Sequence, residues 1–388
     1  MFPQCVIKQF EKYLSESQIQ TLKILIWLLQ VHKQVRIERL AACLPLPILY
    51  ESRRKHLQRF LVLPNFSIVL FWFPIIKSIV EKEFKSYQEL ILAIDRTNWK
   101  NNNVLMLSLI WKNRSLPLYW QILEKDEGCS NLAEQKSVIR PILKLLKKYT
   151  LILIGDREFH GVELANWLEK EYISKRKQEV FFAFRQKQDT YIKQQTEKEY
   201  QQLFDLGMKP GKKIFLSELK VTKGKGFGNF NLAAYWKRKY KRNNEEEPWY
   251  LLTNLDNLEK VLKVYSTRYG IEALFKDCKT GGYNLEGSKA NKKRLTNLIL
   301  LIALSYTMLA LRGKNLKNKG LQKYIARLKE NKRTTRRHSD HWVGMYGEMW
   351  ILAWNFCYEW IDTIIKHNSG KAPFYQKGLR AMSAISLN

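Results

Sequence analysis

Tyr265, Arg268, Glu272 and Lys279 are separated by three, four and seven residues. On one continuous helix, with about 100° between successive residues, they fall within roughly 60° of one another. One stripe would then present a phenol, a guanidinium, a carboxylate and an ammonium. The carboxylate can hold a divalent cation, and the other three groups suit phosphate oxygens. Such a set acts on a phosphodiester if further carboxylates converge on it.

Two aspartates are placed to do so. Asp95 closes the apolar run 90–95, and Asp156 follows the apolar run 149–155 with its Leu-Ile-Leu-Ile core. Side chains at the ends of neighbouring strands meet at a sheet edge, where open α/β architectures bind ligands. Asp95, Asp156 and Glu272, without paired Cys or His, suit the hard ions Mg2+ or Mn2+. Two such ions per active site would activate an attacking oxygen and stabilise the leaving one. Taken singly, each residue has a plainer reading: an Asp after a strand caps the next turn, and a Glu on a helix is solvated. It is their conjunction with the stripe and the charge of the chain that points to catalysis.

That charge is +31, from 67 basic and 36 acidic residues among 388. Such an excess repels itself and is most simply matched by a polyanion, with nucleic acid ahead of an anionic membrane surface. Hydrophobic residues at 45% supply a substantial core and exclude global disorder. The apolar stretches 66–80 and 298–311 are shorter than the ~20 residues of a membrane span and read as buried pieces, so no membrane partner is expected. Residues 1–13 lack the apolar run of a secretory signal. Cys5, Cys43, Cys129, Cys278 and Cys357 have no C-x-x-C spacing; free thiols in a reducing, cytoplasmic compartment are expected.

The pattern divides the chain into five parts. Residues 1–88 are helical and basic. Within them 35–44 and 50–61 flank a break at Pro45 and Pro47, either a helical hairpin or a DNA-reading pair that presents Arg53, Arg54 and Lys55. Residues 89–185 alternate strands (90–95, 104–111, 116–123, 149–155, 180–185) with helices (132–148, 160–170), the texture of an α/β mixed sheet covered by helices. Residues 186–255 form a basic, β-rich insertion with strands at 214–221, 231–236 and 249–252. Its cations include Lys209, Lys212, Lys213, Lys220, Lys223, Lys225, Lys237, Arg238, Lys239, Lys241 and Arg242. The stretch 223–228, Lys-Gly-Lys-Gly-Phe-Gly, reads as a hairpin turn, because no helix follows to complete a phosphate cradle. Residues 256–312 hold one long helix, 258–279, and an apolar helix, 296–311. Residues 313–388 are basic, then rich in Trp342, Trp350, Trp354 and Trp360, and read as a folded helical region. His338 and His341 have a ligand-like spacing without further ligands and read as part of a surface loop.

Tyr265-x2-Arg268-x3-Glu272-x6-Lys279 resembles, with every spacing kept, the Y-(2)-R-(3)-E-(6)-K signature of bacterial insertion-sequence DDE transposases (insertion sequence family four). Ala93-Ile94-Asp95-Arg96-Thr97-Asn98-Trp99 and Gly155-Asp156-Arg157-Glu158-Phe159 are similar to the blocks around that family's two aspartates. The resemblance, over residues 89–312, implies a ribonuclease H-like core with Asp95, Asp156 and Glu272 as the triad, interrupted by the β-rich insertion. It implies that Tyr265, Arg268 and Lys279 hold phosphates of double-stranded DNA, at transposon ends and in the target. It also implies a homodimer assembled on DNA and a nucleoid-associated, prokaryotic setting. In relatives that cut through a hairpin, a Trp at the end of the insertion receives a flipped base, and Trp249 matches it. An indole is a sound platform for an unstacked base, although a Trp on a strand also serves a core. Trp236 is a weaker rival. Two further readings keep the fold without transposition: a silent DNA-binding protein, and a Mg2+-dependent nuclease without strand transfer.

Overall fold

The structure is a computed structural model and describes residues 4–112, 114–238, 247–279, 282–328 and 338–386. Lys239, Lys241 and Arg242 lie outside the described residues. Two compact units emerge: residues 76–277, and residues 1–75 together with 278–388.

The first unit is built on one mixed sheet of ten strands: β1 (Glu89–Trp99), β2 (Asn102–Trp111), β3 (Arg114–Ile122), β4 (Thr150–Gly155), β5 (Val180–Arg185), β6 (Tyr191–Lys193), β7 (Gln201–Gln202), β8 (Lys213–Val221), β9 (Phe227–Tyr235) and β10 (Trp249–Thr253). Their order is β3-β2-β1-β4-β5-β10-β9-β8-β6-β7. β4 lies parallel to both β1 and β5, whereas the remaining pairings are antiparallel. Residues 151–154 of β4 are fully buried, as a central strand covered on both faces requires.

Helices bridge the parallel strands. Asn131 opens Leu132–Leu145 with a reciprocal capping box to Glu134, and this helix packs on β2 and β3. Val162–Leu168, continued by a π-helical turn at Glu169–Lys175, joins β4 to β5. The insertion is no separate β module, because β6–β10 extend the core sheet strand by strand. The Gly-rich stretch lies at the β8–β9 connection, as expected of a hairpin. β6 and β7 escape a sequence reading because they are strands of three and two residues of largely polar composition.

The expected continuous helix 258–279 is instead two, Leu258–Ser266 and Tyr269–Cys278. The hydroxyls of Ser266 and Thr267 donate to the carbonyls of Lys263 and Val264, drawing off the acceptors that a continuing helix needs. The second helix then leans on β3: Ser115 Oγ donates to the Gly270 carbonyl at 3.2 Å. A Cβ on Gly270 would stand 2.8 Å from the Arg114 carbonyl oxygen. The unit ends at Asp277, so the expected core segment 256–312 is divided. Its apolar part belongs to a helix, Lys292–Asn318, that is buried in the other unit.

The second unit is helical, as expected for both ends of the chain. It contains Gln4–Tyr13, Glu16–His32, Ile37–Cys43, Tyr50–Phe60, Lys292–Asn318, Asp340–His367 and Ala372–Ser386. Lys292–Asn318 is apolar and long enough to cross a membrane, with a mean hydropathy of 1.6, but 83% of that apolar window is buried inside the protein. It packs along Asp340–His367, where Gly344 lets the backbones meet: a Cβ there would collide with the Leu309 carbonyl. The two histidines belong to the start of this packing, not to a surface loop. His341 is buried and stacks on Tyr306, and His338 stacks on Trp342. Phe356, Trp360 and Phe374 are exposed on the last two helices.

The close approach at Gly270 yields a prediction. Gly270→Ala overpacks the contact with β3 and lowers stability by about 1–3 kcal/mol, measured by urea unfolding. An unchanged midpoint would mean that this helix is free to shift.

Candidate active site

The two aspartates are neighbours by strand register. β1 and β4 pair with Ile94 opposite Gly155, so Asp95 and Asp156 are the next residues on adjacent parallel strands. Asp95 does not end its strand, as its apolar run suggests. β1 continues to Trp99 because β2 pairs with it throughout, Asp95 opposite Met106 and Trp99 opposite Asn102. Asp156 does leave its strand, and its Oδ1 accepts the Glu158 N–H at 2.9 Å to open the turn Arg157–Phe159. Asp95 Oδ1 accepts the Arg96 N–H at 2.7 Å. The capping reading of Asp156 therefore holds, and it engages one carboxylate oxygen.

Glu272 and Arg268 complete the cluster from the broken helix. Arg268 Nη1 lies 3.4 Å from Asp95 Oδ2, while Nη2 donates to Glu272 Oε1. Burial works against the guanidinium, yet Tyr265, Glu272, Asp95 and Asp156 outweigh it and hold its proton more tightly than usual. Asp95 is 9% exposed. Burial, then repulsion from Asp156, push its carboxyl up to about 7, against the pull of Arg268 and the Arg96 N–H; Glu272 adds to the rise. The three carboxylates thus share one electrostatic environment with Arg268 as internal counter-charge.

Trp249 opens β10, half-buried, with its ring edge-on to Tyr265 at 4.9 Å between centroids. Two residues earlier, Glu247 pairs with Arg157 at 2.7 Å, which ties the start of β10 to the turn that Asp156 caps. Tyr265 itself is 3% exposed. Lys279 stands past the end of the second helix, in the other unit, 3.5 Å from Glu286. The break at Thr267 means that the four motif residues do not form one helical stripe. Trp236, the weaker rival, is half-buried just beyond β9.

In the helical unit, Arg53 donates to the carbonyls of Ala42 and Leu44, lacing Tyr50–Phe60 to the helix before it. Arg54 pairs with Glu51, and Lys55 is exposed. Within the insertion, Lys213 pairs with Glu259, and Lys225 with Glu163.

Sequence reasoning missed Arg96 and Glu158. Arg96 Nε donates to Glu158 Oε2 at 2.7 Å, and both side chains are largely buried. Each is adjacent or nearly adjacent to a triad aspartate, and that adjacency is the one sequence signal that could have flagged them.

Among the described residues no three acidic, imidazole or thiol groups stand close enough to hold a metal ion as they are. The donor chemistry nevertheless fits one. Three carboxylates share a field that already draws in a cation, Arg268, and oxygen donors of this kind suit a hard divalent ion.

The burial of Asp95 has a consequence for stability. An unfolded Asp releases its proton near 3.8, whereas folded Asp95 keeps it to about 7. Between those values the folded state binds more protons, so this group's contribution to stability falls as pH rises through the window. Asp95→Asn is therefore expected to raise the metal-free melting temperature relative to wild type more at pH 8 than at pH 4. Equal differences at the two pH values would contradict the burial of a strained charge.

With this geometry in view, comparisons with known proteins bear directly on the site. The model of the transposase DDE domain family matches residues 86–308, a span that contains Asp95, Asp156 and Glu272. No curated protein matches the chain. Members of the family are polynucleotidyl transferases or nucleases that act on DNA and generally use divalent metal ions. The chain belongs to the transposase DDE domain family.

Proposed function

We propose that this transposase is of the insertion-sequence family four type, with a ribonuclease H-like core, and that it cuts DNA at the ends of its element and joins the freed 3′-hydroxyls to target DNA. The observation that supports this reading is the register of β1 and β4, which sets Asp95 beside Asp156, with Arg268 pairing both with Asp95 and with Glu272. Asp95, Asp156 and Glu272 would hold Mg2+ or Mn2+, two ions per site, which when bound activate the attacking oxygen and stabilise the leaving one.

The chain's own residues supply the rest. Asp95 must give up its proton to act as a ligand, so its raised pKa makes metal binding, and with it activity, strengthen as pH rises. Arg268 offsets the repulsion among the carboxylates; once they are otherwise neutralised, its guanidinium is available to a DNA phosphate. Lys279 and the phenol of Tyr265 would serve the DNA backbone, and for the buried Tyr265 this requires its hydroxyl to become accessible. Trp249 would receive a flipped base, since its half-buried ring sits at the strand end nearest Tyr265. Lys55, with Arg53 and Arg54, would contact element ends. The +31 charge supports long-range attraction of DNA. Two ends require two active sites, so a homodimer forms on DNA, in a cytoplasmic, nucleoid-associated setting.

Incubation with Mg2+ and a DNA fragment carrying the element's ends tests this reading. Nicks with 3′-hydroxyls, then joined products, are expected. Glu272→Gln should lose at least about 100-fold in cleavage, beyond what a merely supporting residue around a metal costs. In the same assay Trp249→Ala should slow hairpin formation more than first nicking, in keeping with stacking worth about 1–3 kcal/mol per base. Binding without cleavage would mean a silent DNA-binding protein, and cleavage without joining a plain nuclease.

A further inference from the structure

The two hydrogen bonds that orient the paired aspartates come from backbone amides of residues whose own side chains are joined. Asp95 Oδ1 takes the N–H of Arg96, and Asp156 Oδ1 takes the N–H of Glu158. Arg96 Nε in turn donates to Glu158 Oε2 at 2.7 Å. The pair links the two aspartates by a chain from one carboxylate to the other: carboxylate, amide, guanidinium, carboxylate, amide, carboxylate.

The chain is anchored on both sides. Arg96 Nη1 also donates to Asn103 Oδ1 at 3.1 Å, and Asn103 Nδ2 donates to the Gly128 carbonyl. Glu158 Oε1 accepts two bonds from Ser130, from its N–H at 2.8 Å and from its hydroxyl at 2.7 Å. Ser130 adjoins Asn131, the cap of Leu132–Leu145. Both oxygens of Glu158 are thereby engaged, and its side chain is 9% exposed.

We propose that Arg96 and Glu158 are positioning residues, a clamp that fixes the separation and aim of Asp95 and Asp156 and so sets the metal affinity of the site. This rests on the reading of those aspartates as metal ligands. The strand pairing alone stops at Ile94 and Gly155, and Asp156 already lies in a turn. The clamp ties the turn Arg157–Phe159 to β1 through side chains, beyond the last backbone pair of the two strands. Two repelling carboxylates at a loose junction would separate; the buried ion pair opposes that at the adjoining residues. Partners of this kind around metal ligands typically govern affinity 10- to 100-fold when removed.

The test is Mn2+ binding to the full chain without DNA, followed by the electron paramagnetic resonance signal of free Mn2+, which needs no turnover. Glu158→Gln and Arg96→Gln are each expected to weaken binding about 10- to 100-fold. The double variant should be no weaker than the worse single one, because the two act as a unit. DNA affinity in the absence of metal should be unchanged. A pair with only a structural role would lower the melting temperature and leave Mn2+ affinity of the folded protein within about twofold, and that result overturns the proposal. If the charge variants fail to fold, Ser130→Ala removes one bond to Glu158 and leaves the ion pair. It should weaken Mn2+ binding a few-fold, and unaltered binding again overturns the clamp. Asp156→Asn separates the two layers. Loss of binding there with none in Glu158→Gln removes the clamp alone, whereas intact binding in Asp156→Asn removes the ligand reading and the clamp with it.

Discussion

Two carboxylates set side by side by strand register repel one another, and one of them is buried. The parallel pairing of β1 with β4 makes Asp95 and Asp156 neighbours, and burial plus this repulsion raises the Asp95 carboxyl to about 7. A fold tolerates such a junction only by surrounding it with compensating groups. Arg268 supplies the internal counter-charge and links Asp95 to Glu272. Backbone amides of Arg96 and Glu158 supply hydrogen bonds, and their side chains tie the two strands' ends together.

The break between Leu258–Ser266 and Tyr269–Cys278 bears on the same junction. A straight helix would carry the motif as a single stripe. The kink places Tyr265 against Trp249 and Arg268 against the carboxylates, while Gly270 brings the second helix close to β3. The insertion, by joining the same sheet through β10, delivers Trp249 to the side of Tyr265. Glu247 and Arg157 connect that strand's start to the turn after Asp156. Strand order, kink and ion pairs thus bear on one cluster.

Much of this was legible in the residues. The apolar runs around Leu92 and Leu153 read as strands because both their faces are buried, and their following aspartates stood out as charges at the ends of such runs. The motif spacing singled out Arg268, which pairs with Asp95, and Glu272, which pairs with Arg268. What stayed hidden depends on long-range pairing. That Asp95 is mid-strand depends on β2 extending beside it, which no local pattern of residues 90–95 reveals. The helix break depends on hydroxyls at Ser266 and Thr267 competing for carbonyls, in a segment whose apolar periodicity reads straight through. Arg96 and Glu158 stood in the blocks around the two aspartates without a role, because their partnership spans 62 positions. Lys279 shares the motif's spacing but sits in the other unit, paired with Glu286.

The central claim is that Asp95, Asp156 and Glu272 together form one divalent-metal site. Fe2+ in place of Mg2+, with ascorbate and peroxide, generates hydroxyl radicals that cut the polypeptide next to the bound ion. Mapping the fragments by mass spectrometry should place cuts near residues 95, 156 and 272 together, all suppressed by excess Mg2+. Cuts confined to other segments, or cuts at one of the three that Mg2+ does not suppress, would contradict the account.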